Sequence, residues 1–567
     1  MTTRRDLFKI TGGAAVGALL TPAPWRMITD GALWSENWPG IPRPARGEIR
    51  AKFTNCTLCP AGCAMKARCV GDQPISLAGV AGHPLSHGAL CPFGIAGHHL
   101  PYHPERLLSG AVEDAAAAIK KGIGEGGRIA VFDTRPGRTA SWTYRRAMAS
   151  LPGGLYLRPQ AALNGNAVDL SAARTVLSFG VPLLDGWGTP GNVIQARGNF
   201  RLIQVEAIES RTAAMADLWL PTNAGEERAM ASIILNGGMD HIARELENGP
   251  VLVLGPEDWP EIVELNRKYG ALGRTIVSRR DAPVPDTWKD AAPEMEWADA
   301  AEGSIRVLLI DETAPGAYVP WHSLETKLSR DAVVVAFTAT RDGYARHAQF
   351  SIPTAVFPEA LDDIPAAVDS PAGVFRLSTS LVPPAAGTID PAMFIARLAG
   401  IDAASALRDR AGAICRSARG NVFHYADSKS TPMKEMKADA FWKSLNEGAC
   451  WIDDLDPKAP APKLVARAAT RASNVSLVET CGAGLVSPLF SKLHEESHVR
   501  LARHEIALNP AGGFHDGERV ALQTDCGRIA MTVLLDPSIP PGSIQAATGA
   551  DVLDLCGGVT GAKVVRI

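Results

Sequence analysis

The sequence predicts a multi-domain α/β protein with a small cysteine-bearing N-terminal domain and a C-terminal β-barrel, and three observations predict it. Short apolar runs alternate with helical segments through the middle of the chain. Four of the cysteines between positions 56 and 91 stand in a metal-ligand spacing. Near the C-terminus, apolar positions alternate with polar ones around an Asp-Gly turn at Asp516 and Gly517, as in a small barrel.

In the middle of the chain, Val112 to Gly122 reads as a helix and Arg128 to Asp133 as a buried parallel strand. Further strands are expected at Thr175 to Phe179, Leu202 to Val205, Val251 to Leu254, Arg274 to Val277, Val307 to Ile310 and Val333 to Phe337. Their alternation with helices is the mark of doubly wound α/β units. Polar, Pro-rich stretches from Asp281 to Pro293 and from Asp453 to Lys463 read as linkers, the second leading into the barrel. The expected units are a signal or anchor (1–30), a cluster domain (31–108), two α/β domains (109–245 and 246–440), a linker (441–463) and the barrel (464–567).

A chain of 567 residues with 46% hydrophobic and 21% charged residues can build several packed cores. The net charge of −3 comes without a basic face, which argues against a nucleic acid partner. No Walker-type loop or complete G-x-G-x-x-G follows a strand, so nucleotide binding by those routes has no support.

The run Cys56-Thr-Leu-Cys59-Pro-Ala-Gly-Cys63 is C-x2-C-x3-C, and 27 residues separate it from Cys91. One loop can wrap three corners of a cubane cluster while a distant fourth ligand closes the site, so Cys56, Cys59, Cys63 and Cys91 are the expected [4Fe-4S] ligands. Pro60, Gly62, Pro92 and Gly94 suit tight loops that turn backbone amides toward sulfur. Zinc is the alternative metal, although its sites more often pair two C-x2-C knuckles. The other six cysteines (Cys69, Cys415, Cys450, Cys481, Cys526 and Cys556) are scattered singly and read as small core residues.

At the N-terminus, Thr3-Arg4-Arg5-Asp6-Leu7-Phe8-Lys9 precedes an apolar run of 11 residues from Ile10 to Leu20. Paired arginines before a short apolar segment are the pattern of a twin-arginine export signal. That route carries finished folds, which suits a protein whose cluster is inserted before export. The run is well short of the roughly 20 residues a spanning helix needs, so the expectation is a periplasmic protein, peripheral to the membrane.

Gly82-His83-Pro84-Leu85-Ser86-His87-Gly88-Ala89-Leu90-Cys91-Pro92-Phe93-Gly94, with Tyr102-His103-Pro104-Glu105-Arg106-Leu107, resembles the N-terminal cluster domain of the molybdopterin oxidoreductase family. The likeness continues through Val176 to Gly180, through Gln204 to Pro221 and, more weakly, from Val333 to Glu359. It ends in His504 to Ala511, Gly513 to Val520, Gly527 to Val533 and Ile539 to Ile544. The resemblance implies that the C-terminal unit is a six-stranded, double-psi-like barrel covering two pterin dinucleotides, and it makes a molybdenum bis-pterin cofactor possible.

Two departures matter. Catalytic members usually carry Lys or Arg two residues after the last cluster cysteine, where this chain has Phe93, which cannot donate charge-assisted hydrogen bonds. The family's metal-ligand loop should lie between about Ser141 and Ala172, a segment without cysteine, in which Ser150, Asp169 and Ser171 are the only substitutes proposed. Thr21 to Trp25, Ala32 to Pro44, with Trp34 and Trp38, and Leu183 to Gly191 are similar to the molybdopterin-oxidoreductase-like large subunits of menaquinone reductase and alternative complex III.

That likeness implies an electron-transfer subunit of a quinone-linked respiratory complex. Its partners would be a ferredoxin-like iron-sulfur subunit, a multihaem cytochrome c and a quinone-binding membrane subunit. A molybdenum or tungsten bis-pterin enzyme and a scaffold with a redox-silent cluster are the rival readings. His83, His98, His99 and His103 lie near the cluster cysteines and read as hydrogen-bonded structural groups.

Overall fold

The computed structural model describes residues 47–454 and 501–567, apart from 125, 160–165, 257–258, 502–503, 548 and 558–560. It also describes 474–478 and a few single positions elsewhere. The twin-arginine motif, Trp25, Trp34, Trp38, Cys481 and most of 455–473 lie outside the described residues.

The chain enters through an antiparallel three-stranded sheet, Ile49–Asn55, Ala64–Val70 and Gln73–Gly79. It then builds a six-stranded sheet, parallel throughout, in the spatial order Glu294–Glu296, Leu155–Arg158, Arg128–Asp133, Ile305–Glu312, Leu328–Thr338, Phe350–Pro353. Counted along the chain this is 3-2-1-4-5-6, the order of a doubly wound dinucleotide fold. Both faces are covered, one by Ile119, Tyr144, Met148 and Ile395, the other by Val319, Leu324 and Tyr344. Burial on two faces is why these strands read as continuous apolar runs.

A second parallel sheet of four strands is inserted between positions 2 and 3 of the first. Its order is Val251–Leu254, Thr175–Phe179, Arg201–Glu206, Leu218–Pro221. The units expected at 109–245 and 246–440 therefore interleave, because the larger sheet takes strands from both. Hydrophobic periodicity locates strands but carries no information on which neighbour each one chooses. The run expected as a strand at Arg274 to Val277 is Ile276–Ser278, paired antiparallel with Asn166–Val168 outside both parallel sheets.

An antiparallel five-stranded sheet follows, with Gly373–Ser378 and Ala449–Asp453 at its centre. The expected linker 441–463 is corrected here, since 441–453 is helix and strand. Phe441 and Leu445, four apart on the helix Ala438–Gly448, bury one face of it, and Trp451 is fully buried on the next strand. The stretch expected as a linker from Asp281 to Pro293 holds a short helix, Asp286–Trp288, with Trp288 in the core.

The C-terminal unit is a mixed six-stranded sheet in the order Val475–Val478, Ile544–Ala547, Glu505–Leu508, Gly527–Leu535, Arg519–Thr524, Lys563–Arg566. No ladder joins its two edges among the described residues. Asn474 spans them instead, accepting from Ala562 N at 2.8 Å and donating to Ala562 O at 3.1 Å. The helix Ala550–Cys556 docks this unit through Asp554, whose carboxylate accepts from Trp321 N, Tyr318 Oη, Arg346 and His347 at 2.7 to 2.9 Å. No helix among the described residues is long and apolar enough to cross a membrane.

At the end of the strand Ile305–Glu312, Glu312 is boxed in by Gly343 and Tyr344. Gly343 has φ +64°, and a Cβ there would collide with the Glu312 carboxyl. Burial pushes the Glu312 carboxyl up to about 8, with Asp342 adding to it. The folded state then holds a proton that the unfolded state releases above its ordinary range, so stability falls as pH rises from about 5 to 8. A Glu312→Gln variant is expected to lose that slope, measured as urea midpoints across this window.

Candidate functional site

Three of the four expected ligands lie in the turn between the first two strands. Cys56 N donates to Cys63 O at 3.0 Å and closes the loop. Gly62 permits the tight return with φ +57°. Cys56 and Cys63 are buried, while Cys59 and Cys91 are half-buried. Cys91 caps the short helix Pro92–Ala96, its Sγ accepting from Gly94 N at 3.5 Å. Backbone amides serve two of the other sulfurs: Leu58 N–H toward Cys56, and Ala61 and Gly62 N–H toward Cys59.

Burial pushes the Cys56, Cys59 and Cys63 thiols up, the last to about 12, and Cys91 raises all three further. The four sulfurs are therefore electrostatic neighbours. They do not form a closed cage: among the described residues no three His, Cys, Asp or Glu side chains stand close enough to hold a metal ion. Binding one requires the thiols to draw together and to give up their protons.

The loop is fixed from four directions. Asn55 donates to Leu377 O at 2.7 Å and Thr54 to Thr379 O at 2.9 Å, while Tyr425 Oη donates to Asn55. Arg135, from the turn after Arg128–Asp133, donates to Thr57 O at 2.7 Å. Arg376, on the strand Gly373–Ser378, donates to Ala61 O at 2.9 Å. The segment after Leu183–Trp187 closes on the approach to Cys91, with Gly191 packed against the Ser86 backbone and Ala89. Asp369 holds that segment, accepting from Thr189 N at 2.9 Å and Asn192 Nδ2 at 3.0 Å.

The other residues singled out in the sequence take structural places. His83 is fully buried. Its Nδ1 accepts from Leu85 N and Ser86 N, its Nε2 lies 3.5 Å from Cys450 Sγ, and burial pulls its pKa down to about 3, so the ring is neutral. His98 bonds Ile95 O, and His103 Nδ1 accepts from Glu105 N. Phe93 is buried. Ser150 bonds Ala147 O, and Asp169 caps the turn Leu170–Ala172, accepting from Ser171.

A charged network that sequence reading missed lies between the central strands of the six-stranded sheet. The strand order reverses between Arg128–Asp133 and Ile305–Glu312, and open α/β sheets bind ligands at the carboxyl ends of such a switch point. Here Arg138 spans it, donating to Asp133 Oδ1 at 3.1 Å, Asp311 Oδ2 at 2.5 Å and Asp362 Oδ2 at 2.8 Å. Tyr144 donates to Asp311, and Ser141 and Tyr156 donate to Asp133. No side-chain polar atom of Asp133, Arg138 or Asp311 is left unpaired. The only sequence signal was an acidic residue ending each of two apolar strands.

No family model matches the chain. The chain is 28% identical over 265 residues to the menaquinone reductase, molybdopterin-binding-like subunit of Nitratidesulfovibrio vulgaris, and the match spans 40% of this chain and 38% of that relative. Among solved structures, acetylene hydratase from Pelobacter acetylenicus superposes over 91% of this chain and all of its own length, with a TM-score of 0.61 at 14% identity. The resemblance to the molybdopterin oxidoreductase family holds. The mixed α/β architecture with several parallel sheets is the one the alternation of apolar runs and helices predicts.

Replacing Arg138 with Met leaves the buried Asp133 and Asp311 carboxylates, and the partly exposed Asp362, without their cation. The expected loss is about 3–5 kcal/mol of folding free energy, read from chemical denaturation.

Proposed function

We propose that this chain is a molybdopterin-oxidoreductase-like, cluster-bearing subunit of a quinone-linked respiratory complex, in which the α/β domains act as scaffold. The observation that carries the proposal is the cysteine loop. Four sulfurs are gathered on two segments, backbone amides are turned toward three of them, and buried guanidiniums bond the loop's own carbonyls. This donor set fits a cubane held by Cys56, Cys59, Cys63 and Cys91, and it does not present the two knuckles usual for zinc. When bound, such a group supplies one-electron transfer.

The chain's own residues define the rest of the role. Asn55, Thr54 and Tyr425 fix the loop to the five-stranded sheet, and Asp369 fixes the segment packed against Ser86 and Ala89, ahead of Cys91. The Arg138 network occupies the switch point with a satisfied set of charges, which supports a scaffold over a working pterin site. Phe93 and the capping roles of Asp169 and Ser150 point the same way. The relative's name places that protein in a menaquinone reductase. That kinship supports partner subunits in a complex; the ferredoxin-like, multihaem cytochrome c and quinone-binding kinds are those the sequence resemblance implies, and the paired Arg4 and Arg5 before a short apolar run support twin-arginine export to a peripheral position on the periplasmic face.

Metal analysis of the complex purified without oxygen tests the reading. The Cys63→Ser complex is expected to hold about four iron and four acid-labile sulfide fewer per copy of this chain than the wild-type complex, a difference that leaves out the iron of the partner subunits, and neither complex holds molybdenum, tungsten or extractable pterin. Stoichiometric molybdenum or tungsten with pterin would establish a catalytic bis-pterin enzyme instead. A paramagnetic signal that appears on incubation with quinol is the expected mark of a relay. A cluster that never changes state with quinol or haem donors would make the subunit a scaffold alone.

A further inference from the structure

Five arginines of this fold are buried at its internal junctions, and the company they keep divides them. Arg106 pairs with Glu359, Arg138 with Asp133, Asp311 and Asp362, and Arg410 with Asp363. Arg135 and Arg376 have no carboxylate within salt-bridge distance among the described residues. Both instead donate to carbonyls of the cysteine loop, Thr57 O and Ala61 O. A buried guanidinium without an anion is held at a cost of several kcal/mol unless a negative group answers it.

Arg376 is the sharper case. The residue is 1% exposed, and its Nη2 bonds Ala61 O and Pro365 O, while Nε and Nη1 are buried with no partner. Its guanidinium lies against Gly62, where a Cβ would collide with it, so it reaches the backbone beside Cys63. His83 nearby is neutral and brings no positive charge. Phe93 fills the position two residues beyond Cys91.

We propose that Arg376, assisted by Arg135, is the built-in counter-charge of an anionic four-thiolate cluster on Cys56, Cys59, Cys63 and Cys91, setting its reduction potential from the side of the five-stranded sheet. The inference rests on the cluster reading above. A thiolate-bound cubane is an anion in both redox states. Taking one electron from an external reductant turns a dianion into a trianion with no bond broken, so a fixed nearby cation favours the reduced form.

The test is a potentiometric EPR titration of the purified complex as wild type and as Arg376→Gln, Arg376→Lys and Arg135→Gln variants. Iron content and melting temperature are recorded alongside. In Arg376→Gln the reduction equilibrium is expected to fall at least tenfold, which is about 59 mV lower for one electron. Arg376→Lys should retain most of the wild-type value, and Arg135→Gln should shift in the same direction by less. If Arg376→Gln fails to fold, the lysine and Arg135 variants still decide, since the proposal requires charge-preserving change to be mild and charge removal to lower the potential. Equal potentials in wild type and every folded variant that retains iron would overturn it. A wild-type chain without iron and sulfide would instead overturn the cluster reading on which it stands.

Discussion

Charge buried in a protein must be answered by charge, and this fold uses that constraint at its joints. Arg106 ties the end of the N-terminal domain to Glu359, 253 positions away, and Arg138 ties Asp133 to Asp311 and Asp362. Arg410 ties the helix Ala406–Ser417 to Asp363, and Arg135 and Arg376 tie two sheets to the cysteine loop. The Arg135 and Arg376 bonds each join the cysteine loop to a different sheet. Removing one partner leaves a desolvated ion, which makes these contacts strict about geometry in a way that apolar packing is not.

The same constraint explains how a dinucleotide-type sheet can serve as scaffold. A switch point offers a crevice at the carboxyl ends of two strands, and in a ligand-binding protein polar groups there await a partner. In this chain Asp133 and Asp311 face each other across it with Arg138 between them. The network satisfies itself, and Tyr144 and Tyr156 complete it with hydroxyls. The cysteine loop is the opposite case, because Arg376 beside it has Nε and Nη1 buried without a partner.

The sequence made several elements legible because their signals are local. Arg128–Asp133, Thr175–Phe179 and Val251–Leu254 stand where the apolar runs placed them, since strands buried on both faces must be apolar throughout. The cysteine spacing located the candidate site for the same reason, three sulfurs within eight positions being a property of one loop. What depends on distant partners was not legible. The interleaving of the two parallel sheets, the burial of 441–453 and the Arg138 network each arise from contacts between residues scores or hundreds of positions apart. Arg376 illustrates the limit: along the chain it is one arginine in the strand Gly373–Ser378, and its meaning comes only from lying beside Gly62 and Cys63.

Anomalous diffraction from crystals of the complex grown without oxygen addresses the central claim most directly. The account predicts an iron peak enclosed by Cys56, Cys59, Cys63 and Cys91, and no molybdenum or tungsten peak near Asp133 and Asp311 or elsewhere in the chain. A molybdenum or tungsten peak, or the absence of iron at the four cysteines, would contradict it.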